Sequence, residues 1–196
     1  MSTRNLSLIV ILAVILILGG CACSGYNSLV SKDENVKGKW GNVQSDYQRR
    51  SDLIPNLVNT VKGAANFEQT TLTQVIEARA KATQVQINAN DLSPEKIAQF
   101  QQAQAGVTGA LGRLLAVAEA YPTLQATQNF RDLQAQLEGT ENRIKVSRND
   151  FNGAVQDYNQ TARRFPNNLF AGMFGFKAKG YFQSEPGSDK APEVKF

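Results

Sequence analysis

Apolar side chains recur at steps of three, four and seven residues along most of this 196-residue chain. Such spacing places them on one face of an α-helix. The first series starts at Tyr26 and runs through Val36, Trp40 and Tyr47, with Asp33 as its one polar interruption. No stretch alternates apolar and polar residues as a half-buried strand does. The pattern therefore predicts an all-α fold.

Pro55 marks a predicted joint in the first series. Asp52 is suited to capping a new helix, and a proline in the first helical turn costs little because its missing N–H would be unpaired there anyway. Arg49 and Arg50 precede the joint and admit two interpretations. Two guanidinium groups suit a phosphate or carboxylate ligand, and they also stabilise the negative C-terminal end of a helix. We expect a helix joint here, and the arginine pair is a candidate interaction surface.

Two further helices follow from clear start and stop signals. Ser93 and Pro94 combine an N-cap residue with a proline at the first helical position, and Pro122 ends the series that they open. A last series from 124 to 165 spans about 40 residues, or roughly 60 Å at 1.5 Å per residue. Helices of this length predict an elongated antiparallel bundle of about four long helices with coiled-coil-like packing.

Residues 1–23 are predicted to form a membrane segment, because positions 6–23 read LSLIVILAVILILGGCAC. Two interpretations stay open. The run is about long enough for a transmembrane helix, and the small residues before Cys21 resemble a bacterial lipoprotein signal, in which Cys21 would be lipidated. The three lysines between positions 32 and 39 outnumber the single basic residue before the segment. A transmembrane helix would therefore place the bundle in the cytoplasm, and lipidation would place it outside the inner membrane.

Composition argues against most kinds of chemistry. The chain has no histidine, and its two cysteines, Cys21 and Cys23, lie in the apolar segment. It therefore lacks the commonest general base, the usual zinc ligand and any downstream disulfide or thiolate site. The net charge of +4 is scattered, without the basic stripe of a nucleic-acid-binding protein. We predict no catalytic, metal or cofactor site and no nucleic-acid or small-molecule ligand, so the chain is not expected to be an enzyme.

A phenylalanine-rich stretch follows the last helix, and it includes Phe170, Phe174 and Phe176. Two interpretations apply to it. The aromatic side chains can cap the end of the bundle core, or they can form a surface that contacts a protein or a membrane. The polar and proline-containing residues 183–196 are expected to be a disordered tail.

Several blocks closely resemble the LemA family of bacterial envelope proteins. They are GYNSLV at 25–30, Trp40, RRSDLIPNLVNTVKG at 49–63, EARAKA at 77–82 and FPNNLFAGMFGFKAKGYF at 165–182. The resemblance implies an N-terminal membrane segment followed by a helical bundle, here residues 24–182. It implies no catalytic residues, because the family has no assigned chemistry. Family members commonly have a plain membrane helix, so Gly20-Cys21 leaves the mode of anchoring open.

These observations lead to two expectations of function. The first is a membrane-anchored, non-enzymatic scaffold or adaptor of the cell envelope that binds a protein partner or self-associates. The alternative is a regulator of an envelope enzyme, such as a membrane protease or a cell-wall hydrolase.

Overall fold

The structure is a computed structural model that describes residues 3–63 and 68–184. These residues form six helices and no strand, which confirms the all-α prediction. The helices are α1 (Thr3–Lys62), α2 (Gln69–Gln84), α3 (Pro94–Ala118), α4 (Pro122–Gln125), α5 (Gln128–Arg163) and α6 (Asn167–Ala171). An extended segment, residues 176–184, follows α6 and lies against the bundle.

Helices α1 and α5 pack antiparallel along most of the bundle. Three ion pairs join them, and successive pairs are seven residues apart on each helix. The residue numbers of the pairs increase along α1 and decrease along α5, as they do between antiparallel helices. The pairs are Lys32–Asp157 at 3.1 Å, Lys39–Asp150 at 2.8 Å and Asp46–Arg143 at 3.9 Å. A seven-residue step on both helices is the register of coiled-coil packing. The prediction of antiparallel, coiled-coil-like packing is therefore confirmed.

The core consists of two apolar clusters along the bundle. The first is built around Trp40, Phe100 and Phe151. The second includes Leu57 and Leu114. Helices α1, α3 and α5 each contribute buried side chains to both clusters, so the same three helices hold both halves of the core together.

The predicted joint before Pro55 is wrong, because α1 continues through it to Lys62. A proline inside a helix lacks the N–H that would donate to the carbonyl four residues earlier, which here belongs to Ser51. The Nε of Arg79, on α2, donates to that carbonyl at 2.9 Å. Asp52 caps nothing; its carboxylate accepts a hydrogen bond from Gln48 at 2.7 Å. A tertiary contact thus replaces the hydrogen bond that Pro55 removes.

The other helix boundaries follow the sequence closely. Helix α3 begins at Pro94 directly after Ser93, and it ends at Ala118, shortly before Pro122. Helix α5 occupies the interior of the predicted last helix. Among the described residues, no helix combines the length and hydropathy that crossing a bilayer requires.

Candidate interaction surface

The phenylalanine-rich stretch packs against α1 at one end of the bundle. The rings of Phe174 and Phe176 meet Tyr26 edge-on, with centroids 5.1 Å and 5.7 Å away. Phe170, on α6, is half-buried. The structure therefore brings Phe174 and Phe176 together on α1, and it places Phe170 on the short helix just before them.

Part of this end of the bundle exposes large apolar side chains to solvent. Phe165, Leu169, Met173 and Phe174 are between 50% and 81% exposed. We call these four residues the end patch. They fall within ten consecutive positions, in and on either side of α6. Grouped exposed apolar side chains mark interaction sites more often than singly scattered ones do. The structure thus separates buried aromatic side chains, which cap the bundle, from exposed ones of the same stretch, for which a contact surface stays a prediction.

Residues 176–184, which we call the strap, cap the first core cluster. Phe182 is buried there, with its ring 6.2 Å from Trp40 in a stacked arrangement and 5.5 Å from Phe151. Within the part of the chain that is described, the buried Nε1 of Trp40 has no hydrogen-bond partner. The ring of Trp40, the only tryptophan in the chain, consequently reports directly on whether Phe182 is in place.

Side-chain amides hold the strap backbone as a neighbouring strand would. In each of three cases one amide donates to a strap carbonyl and accepts from the N–H of the same residue, over distances of 2.8–3.0 Å. The pairs are Asn159 with Lys179, Asn152 with Phe182, and Gln101 with Gln183. An amide carries the same donor and acceptor as a peptide group, which explains how helices can satisfy an extended chain. Gln183 belongs to the predicted tail; residues 185–196 lie outside the described residues.

An ion pair fastens the strap to α1. The buried Lys179 ammonium lies 2.7 Å from the Asp33 carboxylate and 5.0 Å from the centre of the Tyr158 ring. Burial disfavours the charged carboxylate, but hydrogen bonds from Lys179 and Lys37 outweigh burial and hold the pKa of Asp33 below its ordinary value. Burial also raises the pKa of Tyr158 to about 12. Asp33 was the polar interruption in the first apolar series, and that was the sequence signal for this contact.

Gly180 lets the strap approach the start of α3. Its N–H donates to the carbonyl of Leu92 at 2.8 Å. A Cβ at this position would lie 2.6 Å from the Cα of Pro94. Only a residue without a side chain fits here, so Gly180 fixes the course of the strap.

The two candidate arginines do not act as a pair. Arg49 is exposed, whereas Arg50 is 2% exposed and lies inside the bundle. The terminal nitrogens of Arg50 donate to Glu141 at 2.8 Å, to Thr108 at 3.0 Å, and to the backbone and side-chain oxygens of Gln104. They therefore bind α3 and α5 instead of an external anion. Arg50 is also some 35 Å along α1 from Tyr26, so the structure does not bring it near the phenylalanines.

Spacing in the sequence contained a signal for the buried arginine. Arg50 follows Tyr47 by three residues and precedes Ile54 by four, so it continues the apolar series. Gln104 is likewise a polar residue within the series of α3. Both helices thus place a polar residue on their core-facing side, and these two residues bind each other.

Two other predictions concern the cysteines and metal binding. The backbone of Cys21 lies within α1, but its side chain is outside the described residues, so lipidation stays a prediction. Cys23 is an exposed free thiol. Over residues 3–63 and 68–184, no group of three or more metal-ligating side chains is found.

Comparison with known proteins decides the family. A profile of the LemA family matches residues 39–196. The chain belongs to the LemA family. Among the relatives of this LemA protein are magnetosome proteins MamQ 1 and MamQ 2 of Paramagnetospirillum magneticum, each 29% identical over 84% of this chain and 66% of their own length. Magnetosome protein MamQ of Magnetospirillum gryphiswaldense is 27% identical over the same shares. The chain thus spans slightly less than two thirds of these relatives.

Proposed function

We propose that this LemA protein is a membrane-attached scaffold or adaptor of the bacterial envelope, which presents a rigid bundle to a protein partner and catalyses no reaction. One observation carries the proposal: α1 is a single helix that joins the N-terminal apolar residues to the buried series of the bundle. At 1.5 Å per residue its length is roughly 90 Å. A continuous helix fixes the direction of the bundle relative to whatever holds its N-terminal part, as a scaffold requires.

Exposure within α1 supports the membrane attachment. Ile11, Leu12, Ile15 and Leu16 are all more than half exposed. Apolar side chains in this number favour contact with lipid over contact with water.

The two modes of anchoring, lipidation and a transmembrane helix, predict different masses for the mature chain. Lipidation predicts a chain that starts at an acylated Cys21, and a transmembrane helix predicts one that keeps Met1 or Ser2, so the intact mass of membrane-extracted protein distinguishes them. A chain that is recovered without detergent from the soluble fraction would contradict both.

The scaffold proposal requires a partner on the bundle surface. We would introduce a photoreactive amino acid at exposed positions of separate helices, Arg49 on α1, Ile76 on α2 and Val146 on α5, and identify cross-linked proteins in cells. We expect one of these faces to give a specific product with an envelope protein or with a second copy of the chain. If none of the three positions gives a specific cross-linked product, the scaffold role is contradicted.

The same experiment addresses the regulator alternative. If the cross-linked partner is a membrane protease or a cell-wall hydrolase, deletion of the LemA protein should change the rate at which that enzyme turns over its substrate. An unchanged rate would leave the scaffold as the function of the complex.

A further inference from the structure

The end patch lies at the end of the bundle from which the apolar part of α1 emerges. Tyr26 contacts Phe174 of the patch, and Gly25 lies so close to Asn167 of α6 that a Cβ would collide with its side-chain amide. Leu16, an exposed apolar residue of α1, is ten residues away from Tyr26, or roughly 15 Å along the helix. A surface that holds the N-terminal part of α1 is therefore within reach of the patch.

Basic residues border the end patch. Arg163 and Arg164 precede it and Lys177 follows it, and all three side chains are exposed. No acidic residue occurs from Arg163 to Ser184. Apolar and aromatic side chains bordered by Arg and Lys are typical of segments that lie in the interface of an anionic bilayer, where the apolar groups enter the headgroup boundary and the cations meet lipid phosphates.

We propose that the end patch is a second membrane contact, which inserts into the headgroup region of a bilayer that contains anionic phospholipid. This inference rests on the proposed attachment through α1, because α1 brings the patch to the membrane. The contact adds a second point of attachment beside the helix. Two points of attachment prevent the bundle from tilting freely, so the membrane itself would set the direction in which the scaffold points.

The test uses the full chain with an environment-sensitive amino acid, dansylalanine, encoded at position 173 in place of Met173. The matched control carries it in place of Val146, which is also exposed but lies on α5, roughly 25 Å before the end of that helix. Both proteins are reconstituted into vesicles of phosphatidylcholine with phosphatidylglycerol, with and without brominated acyl chains. We expect a blue shift and quenching by brominated lipid at position 173 and neither at position 146.

A charge variant adds a quantitative check. We expect each of three single variants to lower the ratio of membrane-bound to free patch about fivefold: Arg163→Gln, Arg164→Gln and Lys177→Gln. The reason is that the attraction of one basic residue to an anionic surface changes this binding ratio by about that factor. Unchanged emission of Trp40 would show that each variant keeps its fold.

The outcomes separate this inference from the attachment. If the chain floats with vesicles but the label at position 173 is unquenched, the second contact is overturned and the attachment through α1 stands. If the chain does not float, both are overturned. If the label is shielded in native membranes but not in protein-free vesicles, the patch binds a protein and the lipid assignment is overturned.

Discussion

Arg50 is the residue on which the middle of the bundle depends. Its guanidinium joins three helices between the two core clusters, and its removal takes the Arg50 donor away from the side-chain oxygen of Gln104 and from the Glu141 carboxylate. Breaking a buried charged pair costs about 3–5 kcal/mol, and the partial exposure of Glu141 places Arg50→Ala near the lower end, about 3 kcal/mol. Arg49→Ala, at the exposed neighbour, should cost no more than about 0.5 kcal/mol. Equal urea midpoints for the two variants would contradict the structural role of Arg50.

Pro55 and Arg79 should be coupled energetically although they are 24 positions apart. Pro55→Ala supplies the N–H that the Ser51 carbonyl lacks, so this carbonyl then has a further donor besides Arg79. We expect Arg79→Ala to destabilise the protein by about 1 kcal/mol more in the native background than in the Pro55→Ala background. A double-mutant cycle in urea measures this difference. A coupling of zero would mean that the contact between Arg79 and Ser51 contributes nothing to the continuity of α1.

The strap is an element held by side chains, and Gly180 is its most sensitive position. Gly180→Ala places a methyl group against the backbone of Pro94, and overpacking of this kind costs about 1–3 kcal/mol. Protection of the Phe182 and Gln183 amides against hydrogen exchange should fall about tenfold or more as a result. Gly172→Ala is the control, because a Cβ there meets nothing within 4 Å. Similar exchange rates in both variants would show that the strap does not need the close approach at Gly180.

Acid should loosen the strap through Asp33. The pKa of this carboxyl is lowered in the folded protein, so its contribution to stability is fully present above its unfolded value of about 3.9 and is lost as the pH falls through the lower folded value. We expect the emission of Trp40 to change below about pH 4 as Phe182 leaves. Asp33→Asn should weaken the strap at pH 7 and remove this acid-dependent step, whereas Asp157→Asn, at an exposed ion pair, should not. An identical acid transition in Asp33→Asn would assign the step to another group.

Helices were predictable to the extent that local signals determined them. Ser93 and Pro94 gave the start of α3, because the geometry of a proline at the first helical position acts within a few residues; Ser93 occupies the N-cap position without a side-chain capping hydrogen bond. The continuity of α1 was not predictable, since the group that compensates for Pro55 belongs to Arg79 on another helix. Capping of the core by the phenylalanine-rich stretch was one of two interpretations, but the way the strap is held was not predictable, because its backbone is paired by side-chain amides of α3 and α5 and it has no periodicity of its own. The apolar spacing alone therefore does not predict the contacts between elements.

At the scale of the whole molecule, the two core clusters should behave as one cooperative unit. Helices α1, α3 and α5 run through both clusters, and Arg50 connects the three helices between them. Unfolding one cluster alone would require each of these helices to break in its middle. The cost of interrupting three continuous helices makes an intermediate with one folded half unfavourable.

A substitution in one cluster should consequently be felt in the other. Leu114 is fully buried in the second cluster, and Leu114→Ala should cost about 2–5 kcal/mol through lost burial and the cavity that it leaves. Trp40 lies in the first cluster, so its emission reports only on that half, whereas far-UV circular dichroism reports on all helices. We expect both probes to show the same lowered urea midpoint in Leu114→Ala. A midpoint for Trp40 that stays at the native value while the helical signal falls earlier would show that the halves unfold separately, and that the bundle is two units joined by shared helices.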